Sequence, residues 1–163
     1  MAITISADEI FEMACQIERN GAAFYRRGAE HAGNAKGRRL LTGLAEMEDE
    51  HVKIFTDMRA EFAAGGGPTI APDDEAALYL RAMADGRVFD VKADPAGKLT
   101  GQESMADILH TAIGLEKDSI VFYVGIRQMV PAAKQKQRIE AVIAEETRHI
   151  SILDKQLADL PKG

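Results

Sequence analysis

The chain has little from which to build chemistry based on sulfur, a membrane or nucleic acid. Its 163 residues include one cysteine, Cys15, which excludes an internal disulfide and any Cys-x-x-Cys zinc or iron centre within the chain. A single thiol with no second cysteine or obvious base beside it reads as a packed side chain, not a nucleophile. No apolar run reaches the roughly 18 residues of a membrane helix, and no basic and apolar leader opens the sequence. We therefore expect a cytoplasmic protein that does not span a membrane. Twenty Lys and Arg face 26 Asp and Glu, a net charge of -6 at pH 7, and no basic cluster offsets it. Phosphate backbones are repelled, so nucleic acid is not an expected partner. The Gly65-Gly66-Gly67 run lacks the lysine and hydroxyl residue of a phosphate-binding loop and reads as a flexible connection.

What is present is an ordinary globular composition, 46% hydrophobic and 28% charged, in a length that fits one domain over residues 1–163. The class is all-α. Ser6-Ala7-Asp8-Glu9 has the spacing of a capping box, and apolar residues then recur at three- and four-residue steps to about His31. The predicted helices cover about 6–32, 36–64, 102–129 and 131–159. Gly65 to Pro68 stops the second, and Thr100-Gly101-Gln102-Glu103 offers a capping box for the third. Pro131 suits the first turn of the fourth. Residues 65–101 form a long crossover, with a short helix capped at Asp73 or Asp74, running through Leu78, Leu80 and Met83 and ending at Asp85-Gly86. Asp94-Pro95-Ala96-Gly97 is a turn signal. A connection this long can run from one end of a bundle to the other, which gives a four-helix bundle of ferritin-like topology.

The two halves repeat. Adding 98 to Glu18, Tyr25, Glu48 and His51 gives Glu116, Tyr123, Glu146 and His149, and the same offset relates Ile10 to Ile108, Phe24 to Phe122 and Leu41 to Ile139. Each Glu-x-x-His unit alone would fit the wet face of an amphipathic helix. Here both interrupt apolar rows: Leu41 and Leu44 before Glu48 and His51, Ile139 and Val142 before Glu146 and His149. All six polar residues should therefore face the core, where four glutamates would repel one another and resist losing their hydration. Two divalent cations would balance four carboxylates and leave both imidazoles neutral donors. In the expected arrangement Glu18 and His51 serve one ion, Glu116 and His149 the other, and Glu48 and Glu146 bridge. These donors suit iron, manganese or zinc, and two Fe ions are the expected cofactor because a redox-active pair can share the electrons that reduce dioxygen or peroxide. Tyr25 and Tyr123 lie two turns beyond Glu18 and Glu116 and can orient ligand carboxylates. His31 reads as a helix-end residue, His110 as a surface or interface residue, and Asp49, Glu50 and Glu145 as solvent-facing.

Through Glu18, Glu48-Asp49-Glu50-His51, Glu116 and Glu145-Glu146-Thr147-Arg148-His149, the sequence resembles the rubrerythrin branch of the ferritin-like superfamily over about residues 6–158. The resemblance implies a non-haem di-iron site with Glu18, Glu48, His51, Glu116, Glu146 and His149 as ligands, Tyr25 and Tyr123 beside them, and peroxidase, ferroxidase or iron-handling activity. The chain departs from full rubrerythrins in having too few cysteines for a rubredoxin centre, so a separate electron donor is expected. It has Ser119 where they carry a further glutamate. His149 stands where that pattern has a carboxylate, as in bacterioferritin's ferroxidase centre. The expected function is a di-iron oxidoreductase or ferroxidase using dioxygen or hydrogen peroxide as a small-molecule oxidant. The alternatives are an iron-storage component of a larger assembly or a metal-stabilised interaction protein. Apolar residues on outer faces, including Ile113 and Ile120, predict a homodimer or higher homo-oligomer.

Overall fold

The first helix begins where Ser6 accepts a hydrogen bond from the Glu9 backbone N–H and Glu9 reaches back to the Ser6 N–H. This reciprocal cap satisfies two donors that a bare helix end would leave unpaired. The computed structural model describes residues 6–65, 75–85, 90 and 92–162. Helix α1 spans Ala7–His31, α2 Ala35–Ala64, α3 Glu75–Ala84, α4 Met105–Met129 and α5 Ala133–Ala158. No strand occurs among the described residues. Asn34 caps α2, and Gly65 closes it with its N–H bonded to the Glu61 carbonyl. Gly66, Gly67, Pro68, Asp73, Asp74 and Gly86, to which stop and cap roles were assigned, lie outside the described residues.

Two boundaries differ from expectation. Helix α4 starts at Met105, capped by Ser104 with Asp107 completing the box. The Thr100–Glu103 pair does form, but as a turn: Glu103 accepts from the Thr100 hydroxyl and from the backbone N–H groups of Thr100 and Gly101. Gly101 has φ +88° and its backbone passes beside the His31 ring, a conformation that turns the chain and that a side chain rarely adopts. Two capping signals four residues apart competed, and the second won. At the other boundary Pro131 precedes the N-cap Ala132, which makes no side-chain cap.

Tyr25 meets Glu116 and Tyr123 meets Glu18, so α1 and α4 run antiparallel. Arg138 near the start of α5 meets Glu61 near the end of α2, so these also oppose. The order around the bundle is α1, α2, α5, α4, and α2 and α4 point the same way, which requires the connection between them to travel the bundle's length. Its helix α3 lies on α4: Leu80 and Met83 are buried, the Tyr79 hydroxyl donates to the Val121 carbonyl, and the Tyr79 ring occupies the space a Cβ on Gly125 would need.

The interior falls into two apolar clusters. One joins Phe11, Phe55, Phe62, Phe122 and Ile139; the other joins Phe24, Leu41, Leu44, Ile108 and Leu153. Cys15 is packed in the first, as expected. Between the clusters lies a layer of glutamate and histidine. Ser104→Ala should lower unfolding stability by about 1 kcal/mol, and Thr100→Ala by less than half of that. Urea titration of both variants tests which box caps α4.

Candidate metal centre

Glu18 from α1, Glu48 and His51 from α2, Glu116 from α4, and Glu146 and His149 from α5 are each at most 3% exposed. They face one another because each occupies a position in an otherwise apolar helical row. The apolar neighbours on either side force the row inward and carry the polar residues with it. The layer resolves into two overlapping groups, Glu18, Glu48, His51 and Glu146, and Glu48, Glu116, Glu146 and His149; in each, one ligand atom per residue lies within 4.8 Å of the others. Glu48 and Glu146 belong to both.

Both imidazoles aim Nδ1 at the carboxylates. His51 Nδ1 lies 2.9 Å from Glu146, 3.4 Å from Glu18 and 3.7 Å from Glu48. His149 Nδ1 lies 3.1 Å from Glu146, 3.2 Å from Glu48 and 3.3 Å from Glu116. Proximity does not make these satisfied hydrogen bonds. Glu18 Oε2, Glu48 Oε1, both Glu146 oxygens and Nδ1 of each histidine are buried without a hydrogen-bond partner, a concentration of orphaned polar atoms that a folded interior does not ordinarily tolerate.

The tyrosines are reciprocal. Tyr25 of α1 donates to Glu116 of α4, and Tyr123 of α4 donates to Glu18 of α1. Each hydroxyl thus holds the glutamate of the opposite half. Burial and the neighbouring carboxylates push both phenols well above their ordinary range, which keeps them hydrogen-bond donors.

Glu145 faces solvent as expected, its side chain 44% exposed, but the sequence reading misses its second role: its carboxylate is 2.9 Å from His51 Nε2 and fixes the outer edge of that ring. Its repeat mate is Met47, and the corresponding His149 Nε2 has no partner. No spacing along α5 could have found it, because the contact depends on how α5 is turned against α2. Asp49 and Glu50 behave as expected, paired with Arg26 and Lys53 at the surface, and His110 is exposed.

Protonation follows from this packing. Burial, then the charges of Glu146 and Glu48, raises Glu18 well above the carboxylate range; burial and contact with Glu146 do the same for Glu116. Burial also opposes ionisation of Glu48 and Glu146, but the acids Glu18 and Glu116 and both histidines close beside them outweigh it and hold these two below the ordinary range. Burial disfavours charged imidazoles, yet the surrounding carboxylates win, raising His51 and pushing His149 up to about 12. These directions favour protons on Glu18, Glu116 and both imidazoles over Glu48 and Glu146, and with all four protons held the layer carries zero net charge.

A helical bundle with paired carboxylates and histidines in its middle layer belongs to the ferritin-like class. Its fold is similar to the crystal structure of a candidate ferritin-like diiron-carboxylate protein from Thermotoga maritima, with TM-score 0.72, 21% identity, and coverage of 96% of this chain and 97% of that one. The rubrerythrin family profile matches residues 9–157, and the chain belongs to that family. No curated protein matches.

Raised acids contribute stability while protonated and lose it as pH climbs above their unfolded value, 4.5; raised histidines contribute below 6.5 and lose it toward their folded values. Glu48 and Glu146 lose their contribution only in acid. Chelator-stripped protein should accordingly melt at lower temperature as pH rises from about 6 to about 9. Scanning calorimetry showing a flat or rising Tm over that window would contradict the assigned proton distribution.

Proposed function

We propose that the buried layer holds two divalent cations, iron in the native protein, and that the chain is a di-iron oxidoreductase or ferroxidase acting with dioxygen or hydrogen peroxide. The observation that carries this reading is the pair of four-donor groups sharing Glu48 and Glu146. The donors fit the ions. Every orphaned carboxylate oxygen and Nδ1 in the layer would gain a partner, and oxygen with imidazole ligands matches iron, manganese and zinc. Glu18 and His51 would hold one ion, Glu116 and His149 the other, and Glu48 and Glu146 both. When bound, an iron pair supplies the electrons that reduce the oxidant.

The chain's own residues position and insulate. The two apolar clusters cover the layer along the bundle axis, and the low-dielectric packing there strengthens each charge interaction. Tyr123 and Tyr25 fix the orientation of Glu18 and Glu116 and remain protonated while doing so. Glu145 sets the ring plane of His51 and raises its basicity as a donor. No side chain here has to form a covalent intermediate. A homo-oligomer and a separate electron donor complete the proposal.

Charge balance makes the reading quantitative. Two imidazolium ions and two carboxylic acids would have to deprotonate to free the donors, so uptake of two cations near neutral pH should release about four protons. Calorimetric titration in buffers of different ionisation enthalpy measures this number, and a value near zero would contradict the exchange. Anaerobic Fe(II) titration should saturate at two per chain, followed by oxidation on adding O2 or H2O2 separately. Glu48→Ala should lose most of that capacity; unaltered stoichiometry and oxidation kinetics would reject its bridging role. Glu145→Gln should weaken metal binding by about 10-fold or more, chiefly in one of the two binding steps, because His149 has no such support to lose.

A further inference from the structure

A cavity of about 470 Å³ opens between α1 and α4 and runs from the surface to Glu48, Glu116 and Tyr25. Its existence follows from two small residues. Gly21 and Ser119 each stand one turn beyond a glutamate of the layer, Glu18 and Glu116, and they are repeat mates. Both line the opening, and the Ser119 hydroxyl is turned back to the Leu115 carbonyl at 3.0 Å and occupies little of it. At Gly21 an added methyl would already touch the Glu48 side chain at 3.5 Å, so any larger side chain there would intrude on the floor.

The crossover covers the outer side. Asn20, beside Gly21, donates to the Ala93 carbonyl at 3.1 Å and ties that segment across the gap. The lining carries acid at each depth: Asp90 and Glu103 from the connection, Asp118 on α4, and Glu48 and Glu116 at the floor, against Lys98 as the one cation among the described lining residues. Glu103 is held ionised by its Thr100 and Gly101 donors. Asp118 makes no ion pair with any described residue. Glu48 is 3% exposed; its Oε2 is the oxygen beside Gly21, while Oε1, which has no hydrogen-bond partner, lies 3.2 Å from His149 Nδ1. Acid clusters alone are common, but here they lead to a buried carboxylate of the layer through space far larger than a diatomic oxidant needs.

We propose that this cavity is the route by which a hydrated divalent cation reaches the buried layer, with Asp118 as the docking carboxylate between mouth and floor and the Gly21–Ser119 pair keeping the passage open. The route rests on the metal-centre reading and adds where the cation enters. A passage whose lining is predominantly of one sign of charge, within low-dielectric walls, concentrates counter-ions and raises entry rates by about 10- to 1,000-fold. An anionic organic molecule would be repelled by the same lining.

The test is anaerobic stopped-flow uptake of Co(II) by the full chain, followed by its d–d absorption. Asp118→Asn and Ser119→Phe should each slow uptake by about tenfold or more at low ionic strength, with the end point still two per chain. Wild-type uptake should slow as salt is added, and Glu140→Gln, on α5 beside Arg127, should load at the wild-type rate. Wild-type rates in both cavity variants would overturn the route. A slow Ser119→Phe beside an unchanged Asp118→Asn would overturn the electrostatic docking. If the phenylalanine unfolds the bundle, as read by circular dichroism, Asp118→Asn decides alone because it changes almost no volume. Wild-type protein that takes up no Co(II) overturns the route together with the centre, whereas normal capacity at unaltered rates overturns the route only.

Discussion

Four carboxylates and two imidazoles packed between two apolar clusters cannot stay folded unless their charge is cancelled in place. The bundle meets this constraint through the reach of its side chains. Glutamates from all four long helices and histidines from two are brought to one level, where four units of positive charge balance four of negative. Protons can supply them on the histidines and two of the acids; two divalent cations can supply them instead. On the proposed reading the layer exchanges protons for metal, and the surrounding apolar packing sets how strongly it resists being left uncompensated.

The rest of the architecture serves that level. Antiparallel α1 and α4 place each tyrosine opposite the other half's glutamate, and the crossover lets α2 and α4 run in the same direction. The halves are not equivalent, however. Glu145 supports one histidine ring where the corresponding site of the other half has Met47. An internal repeat thus generates the shared geometry, and departures from it mark where the two positions acquire different properties.

Much of this was legible in the residues because helical periodicity and a fixed offset are both one-dimensional signals. Glu48 and His51 could be placed in the core from Leu41, Leu44, Phe55 and Met58 alone, and Glu146 and His149 from Ile139, Val142 and Leu153. Contacts that depend on the neighbouring helix's rotation were not legible. Glu145 sits next to a core residue but across from α2, and its bond to His51 depends on how the two helices are turned. The start of α4 was lost differently: Thr100–Glu103 and Ser104–Asp107 carry equivalent capping signals, and only the turn at Gly101 decides between them. The cavity needed the same three-dimensional information, since nothing in the sequence places Gly21 and Ser119 on the wall of one opening.

The reciprocal tyrosine bonds have the symmetry of a dimer, because exchanging the two halves leaves the pattern of contacts unchanged. A single helical hairpin carries a glutamate, a Glu-x-x-His unit and a tyrosine, yet its hydroxyl points at a carboxylate it does not own. Such a hairpin completes its surroundings only beside a second like itself. In this chain the crossover makes that association permanent, so assembly no longer depends on concentration and each copy is free to change on its own.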